Sequence, residues 1–163
     1  MNPRSAFVLD VRVRYSECDP MGHVNNAVYL QYLEDAAIRH AAAAGWPETR
    51  LRAQAGGVFV ARKHEIDYIR AAVPDDWLRI TTWPSSMQGA TAYRNYEITY
   101  LRDTQPGALE GRLVGPEEIN SEERGATLVT ARTLWAFIGP LTGRPRRIPP
   151  VVIDDFFNQE DDF

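Results

Sequence analysis

Between residues 58 and 102 the chain reverses direction with little length to spare. Val58 to Ile69, Trp77 to Met87 and Thr91 to Arg102 each read as a strand, with turns at Asp75-Asp76 and Gln88-Gly89. Parallel neighbours need a crossover of a dozen or more residues, usually a helix, and these connections hold none. The strands are therefore expected to pair antiparallel. A further strand-like stretch runs from Ala126 to Ile138, and the long helical pattern precedes all four. Strand, helix, then strands predicts an α+β fold with one long helix against an antiparallel sheet.

The opening strand is read from Phe7, Leu9, Val11 and Val13 on one parity, with Asp10, Arg12 and Arg14 on the other. The helix is read over Asn26 to Ala44, where Tyr29, Leu30, Leu33, Ala36, Ala37 and His40 recur at helical spacing. Gly45 stops it, with Pro47 beyond. A chain of 163 residues, 44% hydrophobic and 25% charged, has enough material for one substantial core, and a single domain over 1–163 is expected.

A formal charge of -4 gives no support to a nucleic-acid partner. No apolar run reaches membrane length, and the N-terminal apolar run before Asp10 is too short for a signal-peptide core, so a cytoplasmic protein is expected. Cys18 is the only cysteine, which excludes an intrachain disulfide. Glu17 and Asp19 flank it and oppose thiolate formation, so Cys18 is set aside as a nucleophile.

Chemistry concentrates in Tyr15 to Glu34. Pro20 fixes its own φ, Gly22 permits a positive one, and Asn25 or Asn26 caps the helix that follows. Unpaired amides and the positive end of the helix dipole then lie close in sequence to the Asp19 carboxylate. Such a pairing suits a carbonyl becoming an oxyanion beside a base or nucleophile. The same residues also fit a solvated loop Asp followed by an ordinary cap. Three histidines lack the spacing of a metal site, and neither a Gly-rich phosphate loop nor a G-x-S-x-G elbow occurs, so no metal and no cofactor is expected.

The run C-D-P-M-G-H-V-N-N-A-V-Y-L-Q-Y-L-E, above all its D-x-x-G-H-V-N-N-x-x-Y portion, resembles the opening motif of the hotdog-fold acyl-CoA thioesterases, the superfamily that includes 4-hydroxybenzoyl-CoA thioesterase. The similarity extends more loosely through His64-Glu65-Ile66-Asp67-Tyr68 and Asp75-Asp76 to the last strand. It implies a curved sheet wrapped around the long helix, with Asp19 as general base or nucleophile and the Asn26 backbone N–H on the thioester oxygen. His23 takes a supporting catalytic role, and Asn25, Tyr29, Arg62 and His64 form the expected substrate-binding set. Asn25 and Asn26 stand where the hydroxybenzoyl enzymes carry aromatic residues, which separates the reaction class from an aromatic acyl substrate. The resemblance also implies an acyl-CoA or acyl-carrier-protein substrate and a homodimer or a dimer of dimers. A hotdog 3-hydroxyacyl thioester dehydratase and a non-catalytic acyl-CoA-binding module are the alternatives.

Period two places Val58, Val60, Arg62, His64, Ile66 and Tyr68 on one face of the second strand. Arg62 and His64 there either contact CoA or make structural and dimer contacts. Glu34, two turns into the helix, is read as an orienting or structural partner, and His40 as a satisfied or dipole-stabilised histidine near the helix end. Residues 104–124, rich in Pro, Gly and acids, read as an extended loop that either covers an acyl pocket or is solvated. Asp154 to Phe163 reads as a frayed acidic tail, or as a segment docking its Phe pair on a partner subunit.

Overall fold

In the computed structural model the described residues are 1, 3–101, 111–115 and 125–157. The strands are β1 (Ala6–Arg12), β2 (Val58–Tyr68), β3 (Trp77–Gln88), β4 (Thr91–Tyr100), β5 (Arg112–Val114) and β6 (Thr127–Ile138). The helices are α1 (Asn26–Ala43), the short α2 (Glu48–Arg50), which runs into a π turn over Leu51–Ala55, and α3 (Pro150–Phe156). All strands pair antiparallel in the order β2-β6-β4-β3-β1-β5. This is the expected α+β hotdog architecture. Among the described residues no helix is long and apolar enough to cross a membrane.

Local chemistry sets the boundaries. Asn25 caps α1 by accepting the Ala27 N–H at 2.9 Å. At the other end Gly45 adopts φ +93°, its N–H bonds to the Ala42 carbonyl and the Trp46 N–H to the Ala41 carbonyl. That pair of bonds is a Schellman motif, and the left-handed residue it requires explains why the helix stops there. Between β3 and β4, Gln88 faces Thr91 across a two-residue turn that begins with Gly89 at φ +60°.

Tyr29, Tyr32, Leu33, Ala36, Ala37 and His40 form the buried stripe of α1. They pack on Phe7, Leu9, Leu78, Ile80, Tyr96, Ile98 and Val129 of the sheet. A second cluster gathers Trp46, Phe137, Ile148, Val152, Phe156 and Phe157. Its presence corrects the reading of 154–157 as a frayed or partner-docking tail. Phe156 and Phe157 are buried in their own chain, the Arg4 N–H bonds to the Phe156 carbonyl, and Asp155 accepts the Trp46 indole N–H at 2.8 Å. The remainder, 158–163, lies outside the described residues.

Two further expectations change. Within 104–124, Arg112–Val114 pairs with β1 as a strand, while most of that stretch lies outside the described residues. In β2 a bulge between Ala61 and Lys63 leaves Arg62 without a cross-strand partner. One inserted residue switches the faces beyond it. Val58 and Val60 thus share a face with Lys63 and Glu65, whereas His64, Ile66 and Tyr68 share the helix-facing side with Phe59 and Ala61. On the other parity of β1, Asp10 is buried and accepts two bonds from Arg79, at 2.8 and 3.0 Å.

Candidate active site

Residues 18–24 form a closed loop ahead of α1. Cys18 and Val24 pair as a β-bridge, the Asp19 N–H donates to the His23 carbonyl at 2.8 Å, and the Gly22 N–H to the Asp19 carbonyl at 2.9 Å. Gly22 closes the turn at φ +78°. Asp19 Oδ1 accepts the N–H groups of Met21 (2.9 Å) and His23 (3.3 Å). Two main-chain donors therefore fix the carboxylate in orientation, and among the described residues Oδ2 makes no hydrogen bond. His23 braces Asp19 through its backbone, and its ring nitrogens make no hydrogen bond to the described residues.

The same loop leads straight into the helix end. Its exit is held by the Val24 N–H on the Ala72 carbonyl and the Asn25 N–H on the Glu17 carbonyl, both 2.9 Å. Asn25 then consumes two first-turn donors, Ala27 through its side chain and Val28 through its carbonyl. The Asn26 N–H is left without a partner among the described residues, while Tyr68 Oη donates to the Asn26 carbonyl at 3.1 Å. An unpaired donor at the positive end of an eighteen-residue helix is suited to an anion.

A cavity of about 340 Å³ opens at this loop, lined by Tyr15, Cys18, Asp19, Pro20, Gly22 and Pro74. Partial burial and the Glu17, Asp19 and Asp76 carboxylates push the Cys18 thiol pKa up, consistent with setting it aside. Glu17 is occupied by Tyr32 Oη (2.7 Å) and the Arg14 N–H (2.8 Å).

The other expected contacts are more dispersed. Tyr29 is buried under the loop and its hydroxyl accepts the Ala72 N–H at 3.3 Å. Burial raises its pKa. Arg62 is exposed on the β2 bulge, and His64 Nδ1 lies 2.8 Å from Thr133 Oγ1. Neither Arg62 nor His64 lines the Asp19 cavity of this chain.

A larger cavity, about 520 Å³, lies between α1 and the sheet. Trp46, Phe59, Met87 and Trp135 supply apolar wall, joined by the exposed Glu34 and the buried Arg94. Arg94 Nη1 donates to His40 Nδ1 (2.8 Å) and Thr82 Oγ1 (3.2 Å). Burial and the Arg94 charge lower the His40 pKa to about 2, so His40 is neutral and not a protonated partner of the helix dipole. Sequence reasoning did not single out Arg94. Its position between Ala92 and Tyr96 on the apolar parity of a strand was the available signal.

An antiparallel sheet packed on one long helix, introduced by a braced Asp turn, defines a hotdog-fold protein. The profile of the thioesterase-like superfamily matches residues 13–156, and the chain belongs to that superfamily. It is similar to the acyl-CoA thioesterase YbgC of Haemophilus influenzae, 32% identical over 100 residues that make up 61% of this chain and 72% of that protein. A probable thioesterase from Bartonella henselae superposes with a TM-score of 0.65 at 28% identity, over 87% of this chain and 98% of that one. A 4-hydroxybenzoyl-CoA thioesterase bound to 4-hydroxybenzoyl-CoA shares the fold, with a TM-score of 0.71 at 19% identity over 92% of this chain and 97% of that one.

Proposed function

We propose that this chain hydrolyses acyl-CoA thioesters with Asp19 as the catalytic carboxylate. The observation that carries this reading is the arrangement of one loop, which fixes Asp19 Oδ1 by two backbone donors and ends at the Asn26 N–H, with neither Oδ2 nor that N–H paired among the described residues. The family membership and the YbgC likeness support the reaction class.

Oδ2 takes a proton from water as the water oxygen attacks the thioester carbon. The carbonyl oxygen becomes an oxyanion, stabilised by the Asn26 N–H, and the C–S bond then breaks to release CoA thiolate and the free acid. In the nucleophilic variant Asp19 attacks first, and water hydrolyses the resulting mixed anhydride. Thiolate is a good leaving group, so neither route requires a strong general acid. Among the described residues the 11-residue β2 has a neighbour on one side only, which supports dimerisation through that edge.

Asp19→Asn tests the assignment. It keeps an oxygen for the Met21 and His23 amides, so the variant should fold with the parent's melting temperature and lose at least about a hundredfold in thiol release from acyl-CoA. Parental rates from a folded variant would remove Asp19 from the chemistry. Enoyl formation in place of thiol release would favour the dehydratase, and binding without either product the acyl-CoA-binding module.

A further inference from the structure

The larger cavity contains a cation whose hydrogen bonding is incomplete. Arg94 is 6% exposed, and what surface it keeps contributes to that cavity wall. Nη1 is used by His40 and Thr82, while Nε and Nη2 make no hydrogen bond to the described residues. No described carboxylate lies within ion-pair distance of the guanidinium. Its two partners are a neutral imidazole and a hydroxyl, so neither offsets the charge. A buried charge normally occurs with a counter-charge, because desolvation without one is costly.

The free edge of the guanidinium, Nε and Nη2, is a fork that matches the two oxygens of a carboxylate. Much of the remaining wall is apolar, built by Trp46, Phe59, Met87 and Trp135. The other arginine on the wall, Arg52, is already paired with Glu48 at 2.6 Å. Glu34, exposed and without an ion pair among the described residues, disfavours an anion that stops beside it and favours one that reaches Arg94.

We propose that this cavity binds an apolar chain ending in a carboxylate, with Arg94 Nε and Nη2 holding the carboxylate. Two sources share that chemistry: a free fatty acid, or the distal carboxylate of a dicarboxylic acyl group. Only the second rests on the thioesterase reading. Binding to the intact protein tests the site without reference to hydrolysis.

Trp46 and Trp135 line the cavity, so their fluorescence reports occupancy. Decanoate titrated below its micellar concentration should bind at least about tenfold more tightly than decanol, as a charge-assisted pair implies. Arg94→Gln should abolish that preference and leave decanol binding unchanged. Should Arg94→Gln fail to fold, Ala41→Leu, which fills the cavity and leaves the guanidinium in place, should weaken decanoate by a similar factor. Turnover separates the sources. A kcat/KM for decanedioyl-CoA at least about tenfold above that for decanoyl-CoA identifies the distal carboxylate. Equal values together with tight decanoate binding identify the free acid. Equal affinity for decanoate and decanol, with no preference for decanedioyl-CoA, overturns the proposal, and so does decanoate binding that survives Arg94→Gln.

Discussion

Arg94 Nη1 donates to His40 Nδ1 across 2.8 Å in the space between β4 and α1. Because the guanidinium can only donate, Nδ1 must be the bare nitrogen and the ring proton must sit on Nε2. Nε2 faces Ser5 Oγ at 3.4 Å, and the ring stacks on Phe7 with centroids 5.9 Å apart. The fold thus admits one tautomer and excludes the imidazolium.

That exclusion makes stability depend on acid. The folded pKa of His40, about 2, lies below the value of about 6.5 in the unfolded chain. Between those values the unfolded state binds the extra proton, so the His40 contribution is complete above pH 6.5 and is lost as pH falls. From pH 6.5 to 5 the loss is about 2 kcal/mol. Urea midpoints at pH 7 and pH 5 should therefore diverge more for the parent than for His40→Asn, whose side-chain oxygen can still accept from Arg94 without titrating. Equal divergence would refute the assignment.

Asn26→Pro separates the backbone donor from its side chain. Position 26 is the first residue of α1, where proline is accepted, and Asn25 already has φ -59° and ψ 135°, the conformation favoured before proline. The helix should survive with the Asn26 N–H removed. If that N–H holds the oxyanion, kcat should fall roughly a hundredfold to a thousandfold with little change in melting temperature. Asn26→Ala keeps the N–H and should retain most activity. Parental turnover by Asn26→Pro would exclude the oxyanion role.

Truncating Phe156 to alanine should cost about 3–5 kcal/mol, because its ring is 3% exposed within the cluster around Trp46 and Phe137. Denaturant unfolding measures this directly. A cost below 1 kcal/mol would mean that α3 does not dock there in solution.

Gly45→Ala should destabilise by about 1–2 kcal/mol, since an L residue at φ +93° pays the left-handed penalty. The added Cβ would meet only the end of the Arg50 side chain, at 3.3 Å, so strain and not a clash sets the cost. Thermal denaturation of the variant checks it.

Local pattern was enough to find α1, a capping Asn at 25 or 26, its stop at Gly45 and the Asp19 turn, because each depends on residues close in sequence. The features that escaped depend on distant pairing. Nothing in the alternation of β2 marks Arg62 as an inserted residue, yet that insertion turns His64 toward α1 and Thr133. Arg112–Val114 is three residues long and becomes a strand only beside β1. Asp154 and Asp155 read as tail residues until Asp155 meets the indole of Trp46. Tyr32 was absent from the apolar period, and Glu17 supplies the acceptor that lets its hydroxyl go under the helix.

The contacts of Arg94 also bear on how the sheet finds its alignment. A one-residue slip of β4 would send the guanidinium to the opposite face and bring Tyr93 or Asn95 inward in its place. His40 and Thr82 would each lose their donor, and misaligned intermediates would bury unmatched polar atoms at the centre of the molecule. The buried arginine thus acts as a proofreading mark for strand assembly, one that penalises wrong registers which apolar side chains alone would tolerate.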